Sequence, residues 1–185
     1  ILCGIQKSVF EQFKDNPEEF IIKAAALIND EKATAIIQHI TYNVLDECYG
    51  TEVFTDPTIK GRLGINAMKA KKHLYDHVVF DSTNERDFAT ELDINTDVAV
   101  YVKLPDGFYI STPVGHYNPD WAIAFYEGKV KHIYFVAETK GSMQLRLIEE
   151  SKIHCAREHF KAISNGNVVY DVVDSYKSLM DKIMK

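Results

Sequence analysis

The chain has 185 residues, a formal net charge of -6 at pH 7 and a hydrophobic fraction of 46%. This length corresponds to one domain, or to one domain with an appendage, and it allows a substantial hydrophobic core. The sequence contains no apolar run near the roughly 20 residues of a membrane-spanning helix and no signal-peptide pattern, and its acidic balance argues against indiscriminate binding of polyanions.

The N-terminal part of the chain has helical patterns. The sequence of residues 8–15 predicts a short helix. The order Asn16-Pro-Glu-Glu19 is typical of a helix start, with a capping asparagine, a proline at the first position and acids in the first turn. Apolar residues follow at helical spacing. We expect Asn29-Asp30 to break this helix and residues 31–38 to continue as a second one.

The segment between residues 40 and 70 is less regular. Residues 40–54 are ambiguous, with β character near 40–42. Residues 55–70 contain one proline and two glycines and predict a loop. We therefore expect a mainly helical accessory region at residues 1–74 and the core domain at residues 75–185.

From residue 75 onward, predicted strands and helices alternate. In chain order they are a strand at 78–80, a helix opened by Ser82, a strand at 99–103, a short extended piece at 108–111, the two strands of a hairpin at 118–140, a helix at 145–163, a strand at 168–173 and a helix at 175–184. The order from Asn84 onward is α-β-β-β-α-β. The sequence therefore predicts an α/β domain.

The stretch 118–140 is the most informative part of the sequence. Two runs of aromatic, apolar and β-branched residues flank the polar turn Glu-Gly-Lys129, which predicts a β-hairpin. A turn centred on Lys129 places Asp120 opposite Glu138, and opposed residues on antiparallel strands share a face with Cβ atoms roughly 5 Å apart. Because side chains alternate along a strand, Lys140 joins Glu138 on that face, and the apolar side chains point the other way.

Two carboxylates and one ammonium group would therefore meet at one end of the hairpin. Carboxylates this close repel each other unless a cation lies between them. A divalent ion with oxygen ligands fits that space, and a lysine beside it can orient a nucleophile or offset a developing negative charge. The alternative is a salt-bridged strand end, in which Lys140 only neutralises Glu138.

The same residues resemble a known family. Pro119-Asp120 followed by Glu138-Thr-Lys140 matches the PD-(D/E)xK nuclease signature. The surrounding sequence is similar to the C-terminal endonuclease domain of the restriction (Res) subunit of type III restriction enzymes. The similar segments are spread over most of the chain, and they lie at 39–43, 70–76, 112–122, 134–142, 152–161 and 170–176.

This resemblance implies a restriction-endonuclease-like fold, with a mixed sheet flanked by helices, and Mg²⁺-dependent hydrolysis of DNA phosphodiester bonds, with Mn²⁺ able to substitute. Asp120 and Glu138 would hold the metal through their side chains, and Thr139 through its backbone carbonyl. Lys140 would orient the attacking water and offset charge in the transition state. Two alternatives stay open: an inactive nuclease fold used for DNA clamping or subunit assembly, and a repair or junction nuclease of the same fold.

Glu85 has two interpretations. The order Ser82-x-x-Glu85 is a capping box, in which the carboxylate would only satisfy a backbone amide at the helix start. Glu85 also shares a helical stripe with Phe88 and Leu92, and a carboxylate on a core-facing stripe needs a partner. Nucleases of this family often carry an additional acid on the first core helix, so the resemblance favours Glu85 as a catalytic, metal-binding acid.

Basic residues indicate two candidate DNA-binding regions. Residues 60–73 contain five basic side chains and no acidic one. The predicted phosphate contacts in this strip are Lys69, Lys71 and Lys72. The second region is the start of the helix 145–163, just past the motif. The predicted contacts there are Gln144, Arg146 and Lys152. For both regions the alternative is a solvated basic surface.

The resemblance also implies partners. The sequence has no Gly-x-x-x-x-Gly-Lys-Ser/Thr phosphate loop, so ATP would be used by a helicase-like motor domain outside this chain. Double-stranded DNA would be the substrate, and a methyltransferase (Mod) subunit would choose the target. The chain begins without methionine, and we expect a piece of a longer protein. Its three widely spaced cysteines favour a reducing compartment, so we expect a cytoplasmic protein that does not contact a membrane.

Overall fold

The computed structural model describes residues 6–37, 42, 50, 54, 61–130, 134–139, 147–164 and 168–184. Within these ranges the helices are α1 (Lys7–Asp15), α2 (Pro17–Ile37), α3 (Thr83–Ile94), α4 (Leu147–Ile163) and α5 (Tyr176–Ile183). The strands are β1 (Ala67–Lys69), β2 (His77–Val79), β3 (Val98–Lys103), β4 (Ile110–Thr112), β5 (Gly115–Tyr117), β6 (Trp121–Phe125), β7 (Tyr134–Thr139) and β8 (Val168–Val173).

The central sheet has four strands in the order β3-β6-β7-β8. The first three strands are mutually antiparallel, and β8 is parallel to β7 because the chain crosses over through α4. The elements α3, β3, β6, β7, α4 and β8 confirm the predicted α-β-β-β-α-β order within a mixed sheet. Two short antiparallel pairs, β1-β2 and β4-β5, accompany this core.

Each face of the central sheet has its own hydrophobic core. On one face, the inward side chains of β6 and β7 pack with α3 and α5, around Trp121, Phe135 and Leu179. On the other face, side chains of β3, β7 and β8 pack against α4, around Val136 and Phe160. This separation follows from the alternation of side chains along each strand. The predicted orientation of the apolar hairpin residues is confirmed.

The N-terminal helices are largely as predicted. Asn16 caps α2, because its side chain accepts a hydrogen bond from the Glu19 amide at 3.1 Å and its own amide group bonds the Glu19 carboxylate. The predicted break at Asn29-Asp30 is wrong, since α2 runs without interruption to Ile37. Asn and Asp each reduce helix propensity by less than about 0.7 kcal/mol, and contact between α2 and α4 supports the helix.

Two short strands were not predicted. β1 lies in a segment predicted as loop, and β5 follows β4 directly. Each has three residues, and each exists because it pairs with β2 or β4. Most of the ambiguous segment 40–54 lies outside the described residues. Within it, the Tyr42 hydroxyl donates to the Ser111 carbonyl oxygen at 3.1 Å.

The segment that leads into the core is joined to the sheet. The Tyr101 amide donates to the Lys72 carbonyl at 3.0 Å, and the Leu74 amide donates to the Tyr101 carbonyl at 2.9 Å. These bonds attach residues 72–74 to β3. The division of the chain at residues 74 and 75 stays a prediction. Among the described helices, none combines the length and the apolar character that crossing a membrane requires.

Candidate active site

The structure confirms the predicted register of the hairpin. Trp121 on β6 pairs with Ala137 on β7. Extending the pairing by one residue places Asp120 opposite Glu138, as the turn position predicted. The two carboxylates therefore come together at the end of the sheet where β6 begins and β7 ends.

Both carboxylates line one cleft of about 320 Å³. Side chains from β5, from the loop before β6, from β7 and from the start of α4 form its wall. The lining residues are His116, Tyr117, Asn118, Asp120, Glu138, Glu149, Lys152 and Ile153. Glu138 is buried, with 3% of its surface exposed, whereas Asp120 is half-buried. The cleft therefore exposes one acid to solvent and encloses the other.

Hydrogen bonds from one neighbouring residue fix the orientation of Asp120. Its Oδ2 accepts from the Thr139 amide at 2.6 Å and from the Thr139 hydroxyl at 2.7 Å. The same hydroxyl accepts from the Trp121 indole N–H at 3.2 Å. Trp121 is fully buried, as expected for a core residue, and it also holds Thr139 in place. The sequence predicted a role for the Thr139 carbonyl but gave no role to its amide and hydroxyl.

A second set of hydrogen bonds reaches Glu138 on the face of the sheet that packs against α4. The Tyr117 hydroxyl donates to Glu138 Oε2 at 2.6 Å, and the Tyr117 and Tyr170 hydroxyls are hydrogen-bonded to each other. Burial and the negative charge of Glu138 raise the pKa of Tyr117 above its ordinary value. Burial also raises the pKa of Tyr170. Both phenols therefore keep their protons at neutral pH.

Glu85 lies in a different setting from the two cleft acids. Its Oε2 accepts from the Lys103 ammonium at 2.6 Å and from the Asp81 amide at 2.9 Å. The predicted cap is present, since the Ser82 hydroxyl accepts from the Glu85 amide, but the carboxylate binds the Asp81 amide rather than that of Ser82. Glu85 does not line the cleft. Its role as a metal-binding acid stays a prediction.

The ion pair that includes Glu85 has a second acid. Lys103 Nζ also lies 2.7 Å from Asp81 Oδ2. Burial alone would lower the pKa of Lys103, but its hydrogen bonds to Asp81 and Glu85 outweigh burial and raise this pKa. Lys103 therefore stays charged between two carboxylates. This arrangement satisfies Glu85 without a metal ion.

The start of α4 supplies charged groups to the cleft. Lys152 lies in the lining as predicted, and its ammonium donates to the His116 carbonyl oxygen at 3.0 Å. Glu149 lies one turn earlier on the same helix. His116 is exposed, and its ring stacks on Tyr109 with 3.9 Å between centroids. The other predicted residues near this end, Lys140, Gln144 and Arg146, lie outside the described residues.

None of the described residues 61–73 of the basic strip lines the cleft. The side chains of Lys69 and Lys71 are exposed, and Lys72 is half-buried. The Lys72 ammonium hydrogen-bonds the carbonyl of Asn95, the residue that caps α3 at its C-terminal end. Cations are favoured at such helix ends. Lys72 thus has a structural contact, whereas Lys69 and Lys71 are the exposed members of the predicted DNA surface.

The donor set of the cleft fits a divalent cation that prefers oxygen ligands. No group of three or more His, Cys, Asp or Glu side chains with metal-binding geometry occurs in the part of the chain that the structure describes. Mg²⁺ needs fewer, because it is usually held by one or two carboxylates and keeps several waters or binds substrate phosphates. The pair Asp120 and Glu138 meets that requirement.

A second depression of about 320 Å³ lies over the sheet itself. Its lining is almost wholly apolar and comes from β3, β6, β7 and the first residue of β8, for example Val100, Ala122 and Val136. None of the described residues in its lining is an acid, a histidine or a lysine. It therefore offers no group for acid-base or metal chemistry, and the acidic cleft is the candidate active site.

Sequence reasoning missed Tyr117, Tyr170 and Glu149 at this site. The parallel pairing of β7 with β8 sets Tyr170 beside Val136, on the face that also carries Glu138. Side chains of paired residues share a face, so knowledge that β7 and β8 pair in parallel would have placed Tyr170 on the face of Glu138. The sequence has no pattern that specifies this pairing. Tyr117 and Glu149 depend on the path of the β4-β5 hairpin and of α4, for which the local sequence contains no signal.

Comparison with known proteins adds one positive finding. A family model described as an endonuclease domain matches residues 71–176, more than half of the chain. The matched range contains α3, the whole central sheet and the cleft residues Asp120 and Glu138. Neither the comparison with curated proteins nor the comparison with solved structures found a match.

Proposed function

This chain belongs to the endonuclease domain family, and from that membership we propose that it is the DNA-cleaving domain of a type III restriction enzyme, the Res subunit, acting with Mg²⁺. It is a nuclease domain with a restriction-endonuclease-like fold. The observation that carries the finer proposal is the cleft in which Asp120 and Glu138 meet at the end of the β6-β7 hairpin.

This proposal assigns tasks to four side chains. Asp120 and Glu138 hold a divalent cation, and their hydrogen bonds keep both carboxylates oriented before substrate arrives. Preorganised groups of this kind avoid reorganisation during the reaction. Lys152 lies at the cleft wall, and in this proposal it contacts a DNA phosphate. Lys140, by its position in the sequence motif, orients the attacking water and offsets negative charge on the phosphate.

Magnesium bound at the two carboxylates would polarise the phosphate and favour ionisation of a bound water. The remaining contributions come from the chain. Glu138 is buried, and Trp121 beside Asp120 is fully buried, so protein atoms rather than solvent surround the inner part of the cleft. Low local dielectric strengthens every charge interaction made there.

The proposal places other tasks outside this chain. A helicase-like motor domain would use ATP, and a methyltransferase (Mod) subunit would select the DNA target. The helical region containing α1 and α2 would dock on the motor or on DNA. Several large apolar side chains of α2 are exposed, including Ile21, Ile22 and Leu27, as expected for a surface that another domain covers.

A plasmid-cleavage assay tests the proposal. Supercoiled DNA is incubated with the chain and Mg²⁺, alone and together with the motor and methyltransferase subunits. We expect Mg²⁺-dependent cleavage in the assembled enzyme. Asp120→Asn keeps the acceptor for the Thr139 hydrogen bonds but removes the charge. We expect it, and Lys140→Met, to lower the cleavage rate by about 100-fold or more.

Asp181→Asn is the matched control, because it removes the same charge from an exposed position on α5. It should leave cleavage unchanged. Absence of cleavage under every condition would overturn the proposed function. Cleavage by Asp120→Asn at more than about a tenth of the wild-type rate would show that this carboxylate is not the metal ligand.

A further inference from the structure

Two buried tyrosines at the cleft have no task in the cleavage scheme described above. Tyr117 on β5 and Tyr170 on β8 are each 7% exposed. They come from strands that do not pair with each other, yet their hydroxyl groups are hydrogen-bonded. A phenol hydroxyl in a protein interior needs a hydrogen-bond partner, and these two phenols supply one to each other.

The direction of these hydrogen bonds follows from the number of protons. A tyrosine hydroxyl has a single proton to donate. Tyr117 donates its proton to Glu138 Oε2 at 2.6 Å. Tyr117 can therefore only accept in its bond with Tyr170, and Tyr170 is the donor. The three groups form a directed series, Tyr170 to Tyr117 to Glu138, which we call the tyrosine relay.

Ring packing holds the relay in place. The Tyr170 ring stacks on Phe160 of α4, with 5.4 Å between centroids and 11° between planes. The Tyr117 ring meets the Tyr170 ring edge-on, at 6.3 Å and 88°. Such contacts fix ring positions and therefore the positions of the hydroxyls. The orientation of Glu138 is thereby connected to α4 and β8.

We propose that Tyr117 and Tyr170 are positioning residues that hold the Glu138 carboxylate in the orientation needed to bind a divalent cation. This inference rests on the proposed function, since it assumes that Glu138 is a metal ligand. Loss of a polar group that orients a ligand side chain typically lowers metal affinity by about 10- to 100-fold. Tyr117 contacts Glu138 directly, and Tyr170 acts through Tyr117.

The arrangement of the relay separates this role from a purely structural one. If the tyrosines only filled the core under α4, phenylalanine would fill the same space without a buried hydroxyl. The hydroxyls instead end on the one buried carboxylate of the cleft. Removing a hydroxyl should therefore change metal binding, and removing the second after the first should have little further effect.

The test is a titration of the protein with Mn²⁺. Binding is measured by calorimetry and by the fluorescence of Trp121, the chain's only tryptophan. We expect Tyr117→Phe to raise the Mn²⁺ dissociation constant by about tenfold or more. Tyr170→Phe should raise it by about two- to fivefold, because Tyr117 still donates to Glu138. The double variant should match Tyr117→Phe within about twofold, since the relay is already broken.

Tyr101→Phe is the matched control. It removes an equally buried hydroxyl, 3.5 Å from Asp93, in the core on the other face of the sheet. Its Mn²⁺ dissociation constant should equal that of the wild type. If Tyr117→Phe does not fold, the expected two- to fivefold effect of Tyr170→Phe decides the question by the same titration.

The outcomes separate the two proposals. Unchanged Mn²⁺ affinity in folded Tyr117→Phe, with a wild type that binds Mn²⁺, would overturn the relay and leave the proposed function standing. The relay would also be overturned if the dissociation constant of the double variant rose by the product of the two single effects. That result would show that the two tyrosines act on Mn²⁺ binding independently. A wild type that binds no Mn²⁺ and cleaves no DNA would overturn the proposed function and the relay with it.

Discussion

Thr139 lies between Glu138 and Lys140 in the sequence, and both its amide and its hydroxyl contact Asp120. The hydroxyl also accepts the indole N–H of Trp121, which has 0% of its surface exposed. A buried donor that loses its acceptor costs about 1–3 kcal/mol, because it cannot return to water. Thr139 therefore links the stability of the core to the orientation of a cleft acid.

Replacement of Thr139 by valine tests this link. Thr139→Val preserves the shape of the side chain but removes the hydroxyl, so the Trp121 N–H loses its acceptor and Asp120 loses one donor. We expect the free energy of unfolding to fall by about 1–3 kcal/mol. The Trp121 emission maximum should shift as well. Urea unfolding followed by fluorescence measures both effects.

Thr139→Ser provides the comparison, because it retains the hydroxyl and loses one methyl group. Its cost should be about 1 kcal/mol, from lost apolar burial alone, with an unshifted emission maximum. If the valine and serine variants have equal stability and equal spectra, the hydroxyl does not support Trp121 in solution.

At the scale of elements, α3 and β3 are joined by the ion pair between Glu85 and Lys103. The side chains are 15% and 20% exposed, so the pair is largely shielded from solvent. The same carboxylate caps the start of α3 through the Asp81 amide. An acid already bound to a cation and an amide through Oε2 stabilises the structure, and a metal ion at that oxygen would have to displace Lys103.

Glu85→Gln distinguishes the two roles of this acid. Glutamine keeps an acceptor for the Asp81 amide but removes the charge that Lys103 faces. From the contacts, we expect the free energy of unfolding to fall by about 1–2 kcal/mol, between the values for exposed and buried pairs. We expect cleavage to stay within about threefold of wild type. Urea unfolding and the plasmid assay on the same preparation measure both.

Glu85→Gln combined with Lys103→Met completes a double-mutant cycle for this ion pair. The double variant with Glu85→Gln should be no less stable than Lys103→Met alone, because the two residues act as one pair. A loss of cleavage by about 100-fold in Glu85→Gln, at unchanged stability, would instead support the family-based prediction that Glu85 acts on the metal.

The same elements show which features the sequence determines by itself. The Ser82 cap and the register of the β6-β7 hairpin were predictable, because each depends on residues close in the sequence. The strands β1 and β5 were not, because three residues form a strand only when a partner is beside them. The tyrosine relay was not predictable either, since β5 and β8 meet only through the tertiary fold.

At the scale of the whole molecule, charge is distributed unevenly. The cleft carries three carboxylates, whereas the strip at residues 60–73 carries five basic side chains and no acidic one. A nuclease needs both surfaces, because the acids bind cations and the bases bind phosphates. Among the residues that the structure describes, the strip and the cleft share none, so DNA binding and metal binding can be changed separately.

Charge reversal in the strip tests that separation. Lys69→Glu combined with Lys71→Glu changes two exposed side chains and leaves the Lys72 contact with Asn95 intact. We expect weaker binding to double-stranded DNA and a plot of log K against log salt that is shallower by about 1 to 2, because each lost phosphate contact releases one counterion fewer. Mn²⁺ affinity should not change. Fluorescence anisotropy at several salt concentrations, with EDTA to prevent cleavage, measures the slope.

Lys161→Glu combined with Lys177→Glu is the matched control, because it makes the same change in net charge at two exposed lysines outside the strip. A general effect of net charge would weaken DNA binding equally in both double variants, through long-range repulsion alone. If the strip binds DNA, only the variant with Lys69 and Lys71 replaced should have a shallower plot of log K against log salt. Equal slopes in the two double variants would show that residues 60–73 form a solvated surface rather than a phosphate contact.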